Sequence, residues 1–344
     1  LVARKIAHPG DFAIMYRTNA QSRLLEEAFL RVNLPYKLVG AQRFYGRREV
    51  KDVIAYLRLV HNLGDEVSLF RVLNVPARGI GNKTVIDLRI VARNEEIPPG
   101  TVLMNLSEGV ESEYWGSFTK RAATALSKFG VFLADWSKSR NQLSVLGLMD
   151  LIIERTGYRE YIDDGTDEGR DRWENVEELR RLAAEYQDRG LESFLEDIAL
   201  VSDQDTLGET TNVPTLMTLH AAKGLEFPIV IIVGLSDGIL PHVRSFEDPE
   251  AMQEERRLFY VGITRAKDRL YLVSSLNRSS YGFNEPAEES RFLLDIPEGF
   301  FANDGGARSR RQLKTGISYR NSRWDINASE PERDQTPLYS PGAR

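Results

Sequence analysis

Apolar residues recur with a strand-like pattern at both ends of the chain and with a helical period between them. Phe12-Ala13-Ile14-Met15-Tyr16 predicts a short buried strand. Behind Arg17-Thr18-Asn19, an amphipathic helix is marked by Leu24, Leu25, Ala28, Phe29 and Val32, with Arg23, Glu26, Glu27 and Arg31 opposite them. Thr18 or Asn19 is its expected N-cap. Tyr36 to Val39 reads as a second strand, and Val50, Val53, Ile54, Leu57 and Val60 mark another helix. From Phe70 to Ser202 the pattern is helical. Trp115, Phe118, Leu126, Phe129, Phe132, Leu133 and Trp136 predict packed helices. So do Leu179, Leu182 and Tyr186, and then Phe194, Leu195, Ile198 and Val201. Asp163 to Glu174, charged and holding Gly165 and Gly169, reads as a connector.

Strand grammar returns at Thr215. Thr215 to Leu219 is strand-like, and Pro228-Ile229-Val230-Ile231-Ile232-Val233 is the β-branched run of a parallel strand covered on both faces. Glu254 to Lys267 reads as a helix and Arg269 to Ser274 as another strand. Strands around a long helical block predict one α/β domain interrupted by a mainly α-helical insertion. Beyond Phe301 the periodicity is lost, and Ala302 to Arg344 reads as a disordered tail. Its Arg308, Arg310, Arg311 and Lys314 either meet nucleic acid or an acidic partner, or stay solvated.

The 344 residues suffice for about two domains with cores of their own. The absence of cysteine excludes disulfides, thiol catalysis and thiolate metal sites, and only 4 histidines argue against a His-rich one. A net charge of −6 argues against a binder that is basic over its whole surface, but leaves room for a local basic groove. No apolar run approaches the roughly 20 residues that span a bilayer, and no apolar signal core follows Leu1-Val2-Ala3-Arg4-Lys5. The start without Met, close to an expected strand, suggests a piece of a longer chain.

Four stretches carry the chemistry. Thr218-Leu219-His220-Ala221-Ala222-Lys223-Gly224-Leu225-Glu226-Phe227 and Glu254-Glu255-Arg256-Arg257-Leu258-Phe259-Tyr260-Val261-Gly262-Ile263-Thr264-Arg265-Ala266 resemble motifs V and VI of superfamily 1 helicases of the UvrD/PcrA/Rep group. Tyr16-Arg17-Thr18-Asn19-Ala20-Gln21-Ser22-Arg23 resembles the motif that opens the second motor domain of that group, and Arg78-Gly79-Ile80-Gly81 resembles a further stretch. The resemblance reaches to about Pro297. It implies a RecA-like domain with a parallel sheet, called 2A, at 1–45 and 213–298, split by a helical domain, 2B, at 46–212, with the tail at 299–344. It further implies ATP and Mg2+ as cofactors, both requiring N-terminal helicase domains that this sequence does not contain. A bacterial, cytoplasmic, nucleoid-associated protein is implied, with no membrane partner. It would move 3′ to 5′ on one strand and unwind duplex DNA in repair or replication.

Phosphoryl transfer needs positive charge near the γ-phosphate, where negative charge is redistributed in the transition state. On spacing alone, Arg265 is either a surface arginine in a salt bridge or a cation presented to phosphate. It is read within a helix between the small Gly262 and Ala266, which would let another domain approach. The resemblance implies the catalytic role. Likewise it implies that Glu226, which by itself reads as a solvated loop residue, accepts hydrogen bonds from the nucleotide ribose. Gly224 beside it is read as supplying a turn that a Cβ would hinder. No G-x-x-x-x-G-K-S/T occurs; Gly79-Ile80-Gly81-Asn82-Lys83-Thr84 only looks similar. No acidic pair follows an apolar strand, since Asp65-Glu66 and Asp167-Glu168 are expected in loops. The chain alone is therefore expected not to hydrolyse ATP.

For single-stranded DNA and its junctions with duplex, the resemblance implies contacts from Arg17, Asn19, His220, Lys223, His242 and Tyr281, and more weakly Arg43. Arg17 and Asn19 stand where amides at a helix start favour a phosphate. Tyr281 would stack on a base, or else pack against the sheet. Gly79, Ile80, Gly81, Lys83 and Thr84 resemble a helix–hairpin–helix turn whose amides and side chains hold duplex phosphates without reading bases. Such binding is expected to be salt-sensitive. Repair proteins are expected partners of the tail. Two other classes fit part of the pattern: the motor portion of a RecB/AddA-like helicase–nuclease, which needs a downstream acidic metal site, and a non-catalytic DNA- or partner-binding module.

Overall fold

The computed structural model describes residues 1–204, 212–275, 277–280 and 283–301. One compact unit spans Leu1–Asp295; a second spans Ile296–Arg344, and its described part holds a 3-10 turn at Glu298–Phe300. The expected tail residues, Arg308, Arg310, Arg311 and Lys314 among them, lie outside the described residues, as does Tyr281.

In chain order the elements are β1 (Phe12–Tyr16), α1 (Ser22–Arg31), β2 (Lys37–Val39), α2 (Arg48–His61), α3 (Glu66–Val72), α4 (Asn82–Asn94), α5 (Pro99–Leu106) and α6 (Lys120–Ser139). There follow α7 (Val145–Thr156), α8 (Tyr158–Ile162), α9 (Asp167–Ala184), α10 (Gly190–Gln204), β3 (Thr215–Thr218), β4 (Phe227–Val233), α11 (Pro249–Ile263) and β5 (Ala266–Val273). A separate antiparallel hairpin is formed by β6 (Asn277–Ser280) and β7 (Phe283–Pro286).

Strands from both ends of the chain share one sheet, in the order β2-β3-β1-β4-β5, and every pair is parallel. This is the α/β architecture expected of a RecA-like fold. The helical block leaves after β2 and returns at β3, and those two strands are neighbours, with Lys37 opposite Thr215. A long excursion between adjacent strands costs the sheet no pairing, and the closure entropy of its loop grows only slowly with length. β4 lies inside the sheet with Val230 and Ile232 fully buried, as its β-branched run requires. At the edge, β5 exposes Lys267 and Arg269, charges that discourage pairing with another chain.

Two hydrophobic clusters are distinct. One gathers Ile14, Tyr16, Tyr36 and Leu216 beneath Leu25, Phe29 and Leu30 of α1. The other runs from Phe44 to Ile198 through the helical block, and includes the predicted Phe118, Phe129 and Trp136, with Trp115 and Phe132 partly buried against it. Within this second cluster α5 and α6 approach so closely that a Cβ on Gly130 would collide with the Leu103 carbonyl oxygen and lie 3.2 Å from the Ser107 nitrogen. Backbone atoms cannot rotate aside, so Gly130→Ala is expected to destabilise the fold by about 2 kcal/mol. The urea midpoint reads this directly; an unmoved midpoint would show that the helices can separate without loss.

Four local expectations need correction. Of the supposed inner face of α1, Leu24, Ala28 and Val32 are exposed, whereas Ser22, Arg23 and Glu26 are buried. The helix is covered by the sheet on one side and by a polar contact with α9 on another, so part of its apolar stripe is left over. A 3-10 turn at Asn19–Gln21 precedes α1, so Thr18 flanks that turn instead of capping the helix. Most of the presumed connector Asp163–Glu174 is helix: the Thr166 side chain accepts from the Gly169 amide, and Asp167 and Glu168 occupy the first turn of α9, where carboxylates favour the helix dipole. Asp65 likewise caps α3, which begins at Glu66. Neither acidic pair follows a strand.

Candidate functional site

At the end of the sheet where β4 and β5 begin, Arg265 and Glu226 come together. Arg265 does not lie in a helix as expected: α11 ends at Ile263, Thr264 is its C-cap, and Arg265 stands in the turn before β5. Its guanidinium donates to the Val261 carbonyl (3.0 Å), the Leu225 carbonyl (3.1 Å) and Thr264 Oγ1 (3.0 Å). Among the described residues no carboxylate pairs with it, so its charge is oriented but not neutralised. Leu225 is the neighbour of Glu226, and the Phe227 amide donates to the Arg265 carbonyl at 2.9 Å, which locks the two turns together. Glu226 is exposed and faces Lys267 at 3.5 Å, a surface pair that water weakens. Gly224 has φ +86° with nothing near its missing Cβ, so it is backbone conformation, not space, that demands glycine there. Gly262 does not admit another domain; it is buried, and a Cβ there would strike Leu219 and Ile232.

At the opposite end, Tyr16 closes β1 and Arg17 emerges. Arg17 Nε and Nη2 grip the Glu255 carboxylate at 2.9 and 2.6 Å, and Glu255 also accepts from the His242 amide at 3.0 Å. One buried acid on α11 thus holds both the Arg17 guanidinium and the His242 backbone amide. The amides of Arg17 and Thr18 both donate to Gln21 Oε1, at 2.9 and 3.0 Å, so those N–H groups are already used within the chain. Asn19 accepts from Arg47 through its carbonyl (3.0 Å), while its side-chain oxygen has no hydrogen-bond partner. His220 belongs to the same cluster. Partial burial, and then the Arg17 charge, lower its pKa against the opposing pull of Glu255 and Asp171. The segment 219–226, with Lys223 exposed on it, leaves the far end of β3 and re-enters at the near end of β4. In a parallel sheet that means it runs the length of a strand, roughly 20 Å.

His242 has both ring nitrogens engaged. Nδ1 accepts from the Arg244 amide (3.3 Å), and Nε2 lies 3.2 Å from Glu174 on α9. Arg43 places its guanidinium over the Tyr36 ring, 5.4 Å from the centroid. The glycine turn lies elsewhere, between α3 and α4. Gly79 takes φ +73°, Ile80 is buried, Gly81 is the N-cap of α4, and Lys83 is exposed beside Thr84. Asn74 Oδ1 accepts the Arg78 amide at 2.7 Å and the Ile80 amide at 3.3 Å. The Arg78 guanidinium turns inward to the carbonyls of Val72, Leu73 and Val75, so it holds the turn and is not presented outward.

Sequence reasoning missed Glu255, Glu174, Arg244, Gln21 and Arg47. Only Glu255 left a signal: it falls on the face of α11 that buries Leu258, Phe259 and Gly262, where a carboxylate needs a partner. Arg47 is buried and donates to Asn175 Oδ1 at 2.7 Å and Ser22 Oγ at 2.7 Å, joining the start of α1 to α9. Burial lowers its pKa, against the opposing charge of Glu26.

No helix among the described residues is long and apolar enough to cross a membrane. Nor is any group of three His, Asp or Glu placed among them to hold a metal ion. A family profile described as UvrD-like helicase C-terminal domain matches residues 2–277. The chain is 39% identical over 314 residues to an ATP-dependent DNA helicase PcrA of Staphylococcus aureus (strain Mu50), covering 88% of this chain and 42% of that protein. It is 38% identical over 325 residues to an ATP-dependent DNA helicase PcrA of Staphylococcus epidermidis (strain ATCC 12228), covering 90% of this chain and 44% of the relative. It thus spans less than half the length of these relatives. With motif order, sheet topology and profile in agreement, the chain belongs to the UvrD-like helicase C-terminal domain family.

Proposed function

We propose that this chain is the C-terminal portion of an ATP-dependent DNA helicase, and that it supplies one wall of an ATP cleft whose other wall lies in N-terminal domains. The observation that carries this is the Arg265 guanidinium, held by three oxygens at the end of the sheet beside Glu226, with no acid pairing it among the described residues. In that position it would meet the γ-phosphate, and Glu226 the ribose. The P-loop and the carboxylates for Mg2+ would come from the other half. Arg17, Asn19, His220 and Lys223 would line the track of one DNA strand. The 219–226 segment would tie that track to the ATP end, so that nucleotide-driven closure is felt at the DNA.

We assign 1–45 and 213–298 to domain 2A and 46–212 to domain 2B. Separation of the two hydrophobic clusters near Phe44 supports that division. The Gly79–Thr84 turn would hold duplex phosphates, movement would be 3′ to 5′, and repair or replication would be the setting. Repair proteins remain our proposed partners for the tail.

ATP hydrolysis tests this reading. The purified chain alone is expected to show no DNA-stimulated turnover, and addition of the P-loop half of a relative is expected to restore it. Turnover by the chain alone, or none after addition of a folded P-loop half, would count against the assignment.

A further inference from the structure

We propose that His242 and Arg244 form a binding subsite for a backbone phosphate of nucleic acid, and that Glu174 of α9 fills it from within until a phosphate displaces it. This deepens the DNA-track reading above and rests on it. Two nitrogens lie within ion-pair distance of Glu174 Oε1 at once: His242 Nε2 at 3.2 Å and Arg244 Nη2 at 3.0 Å. A guanidinium and an imidazole N–H converging on one anionic oxygen is an arrangement that a phosphate oxygen can use. Burial alone would raise the Glu174 carboxyl, but the hydrogen bond from His242 and the charges of His242, Arg244 and Arg17 outweigh it and hold the group below the ordinary carboxylate value. The carboxylate is therefore present as an anion, in the place of the ligand.

The occupant and its donors come from different parts of the chain: Glu174 from the helical block, His242 and Arg244 from the loop after β4. Contacts of α9 also differ along its length. Toward its C-terminal end Glu178 is buried against Arg23 at 2.8 Å, and Asn175 is buried between Arg47 and Glu49. Toward its N-terminal end the Arg244 side chain is 44% exposed, so solvent reaches the subsite from that side. Asp171, one turn before Glu174, adds further strain. Burial first, and then the Glu174 charge, push its carboxyl up, while Arg17, Arg244 and His220 pull it down. Two acids, Asp171 and Glu174, thus stand one turn apart on α9, and Glu174 faces an Arg244 guanidinium and a His242 ring nitrogen that a phosphate would satisfy as well. A phosphate offers two non-bridging oxygens, one for each donor, where Glu174 offers both donors a single oxygen.

The test is fluorescence anisotropy of a labelled oligo-dT of about 16 nucleotides, the upper site size of a single strand-binding module. Glu174→Gln is expected to bind about tenfold tighter than wild type, the scale of one charge-assisted hydrogen bond transferred to phosphate. Glu168→Gln removes the same charge from an exposed position on α9 and is expected to change affinity by no more than about twofold. Equal tightening by both variants would reduce the effect to net charge and overturn the subsite. Arg244→Ala is expected to weaken binding; unchanged affinity overturns it too. With the wild-type chain, amide hydrogen exchange in the first two turns of α9 is expected to speed up when the oligonucleotide binds, and unchanged exchange overturns the displacement. If the wild type itself does not bind the oligonucleotide at low salt, the DNA-track reading fails. If it binds and Glu174→Gln gains nothing, only the subsite fails.

Discussion

Replacing Arg265 with alanine is expected to lower ATP turnover of the reassembled helicase by about 10³-fold, while single-strand affinity stays within a few-fold of wild type. The size follows from what the guanidinium would do. Negative charge is redistributed over the γ-phosphate in the transition state, and a cation already oriented there stabilises it without reorganising. In this structure the orientation is supplied by Val261, Leu225 and Thr264 oxygens. None is an acid, so among the described residues the charge is not spent on an internal ion pair. Lysine at this position is expected to recover little, because a point-like ammonium cannot reach three separated acceptors and a phosphate together. The loss should fall on kcat more than on the KM for ATP, since an interaction made mainly in the transition state is removed. A drop of less than about tenfold would place Arg265 outside the reacting centre and reduce its three bonds to a cap on the end of α11.

Arg23→Met is expected to destabilise the fold by about 3 kcal/mol at neutral pH, read from the urea midpoint. The Arg23 side chain is 3% exposed and its Nε lies 2.8 Å from Glu178, itself 8% exposed. Its Nη1 reaches Glu27 at 3.0 Å. Burial alone would lower the arginine pKa, but Glu178 and Glu27 more than compensate and raise it. Methionine fills much of the same volume, so the loss is chiefly electrical: Glu178 would stay buried without its principal cation. Arg181, 2.8 Å away on the same helix, softens the penalty, which is why the low end of the range for a broken buried pair is expected. The double variant Arg23→Met/Glu178→Leu should recover most of the loss. If the double variant is no more stable than Arg23→Met, the damage lies in packing and not in the stranded charge.

Much of the fold was legible in the chain because it rests on local rules. Phe12–Tyr16 is a strand with the predicted ends, and the β-branched run before Gly234 is β4. Phe129 and Trp136 of α6 are core because their spacing puts them on one face with Leu126 and Leu133. Of the candidate site, residue identities and order were legible, and the family resemblance, not spacing alone, pointed to Arg265 and Glu226. Their adjacency was not, since Arg265 meets the Leu225 carbonyl across 40 positions of sequence.

What the sequence determined by itself was therefore the period of each element, the interruption of an α/β domain by helices, and the family. Those depend on side chains close in sequence, whose spacing fixes which face they share. Tertiary structure alone decided where charge is cancelled and where it is left free. It turned Arg23 and Glu26 of α1 inward and left Leu24 and Val32 outside, against the helix's own amphipathic pattern. It bound Arg17 to Glu255 and placed His242 against Glu174, partners far away in sequence, while giving Arg265, among the described residues, only neutral oxygens. Coulombic pairing depends on distance in space and on exclusion of water, and neither is set until the chain has closed on itself.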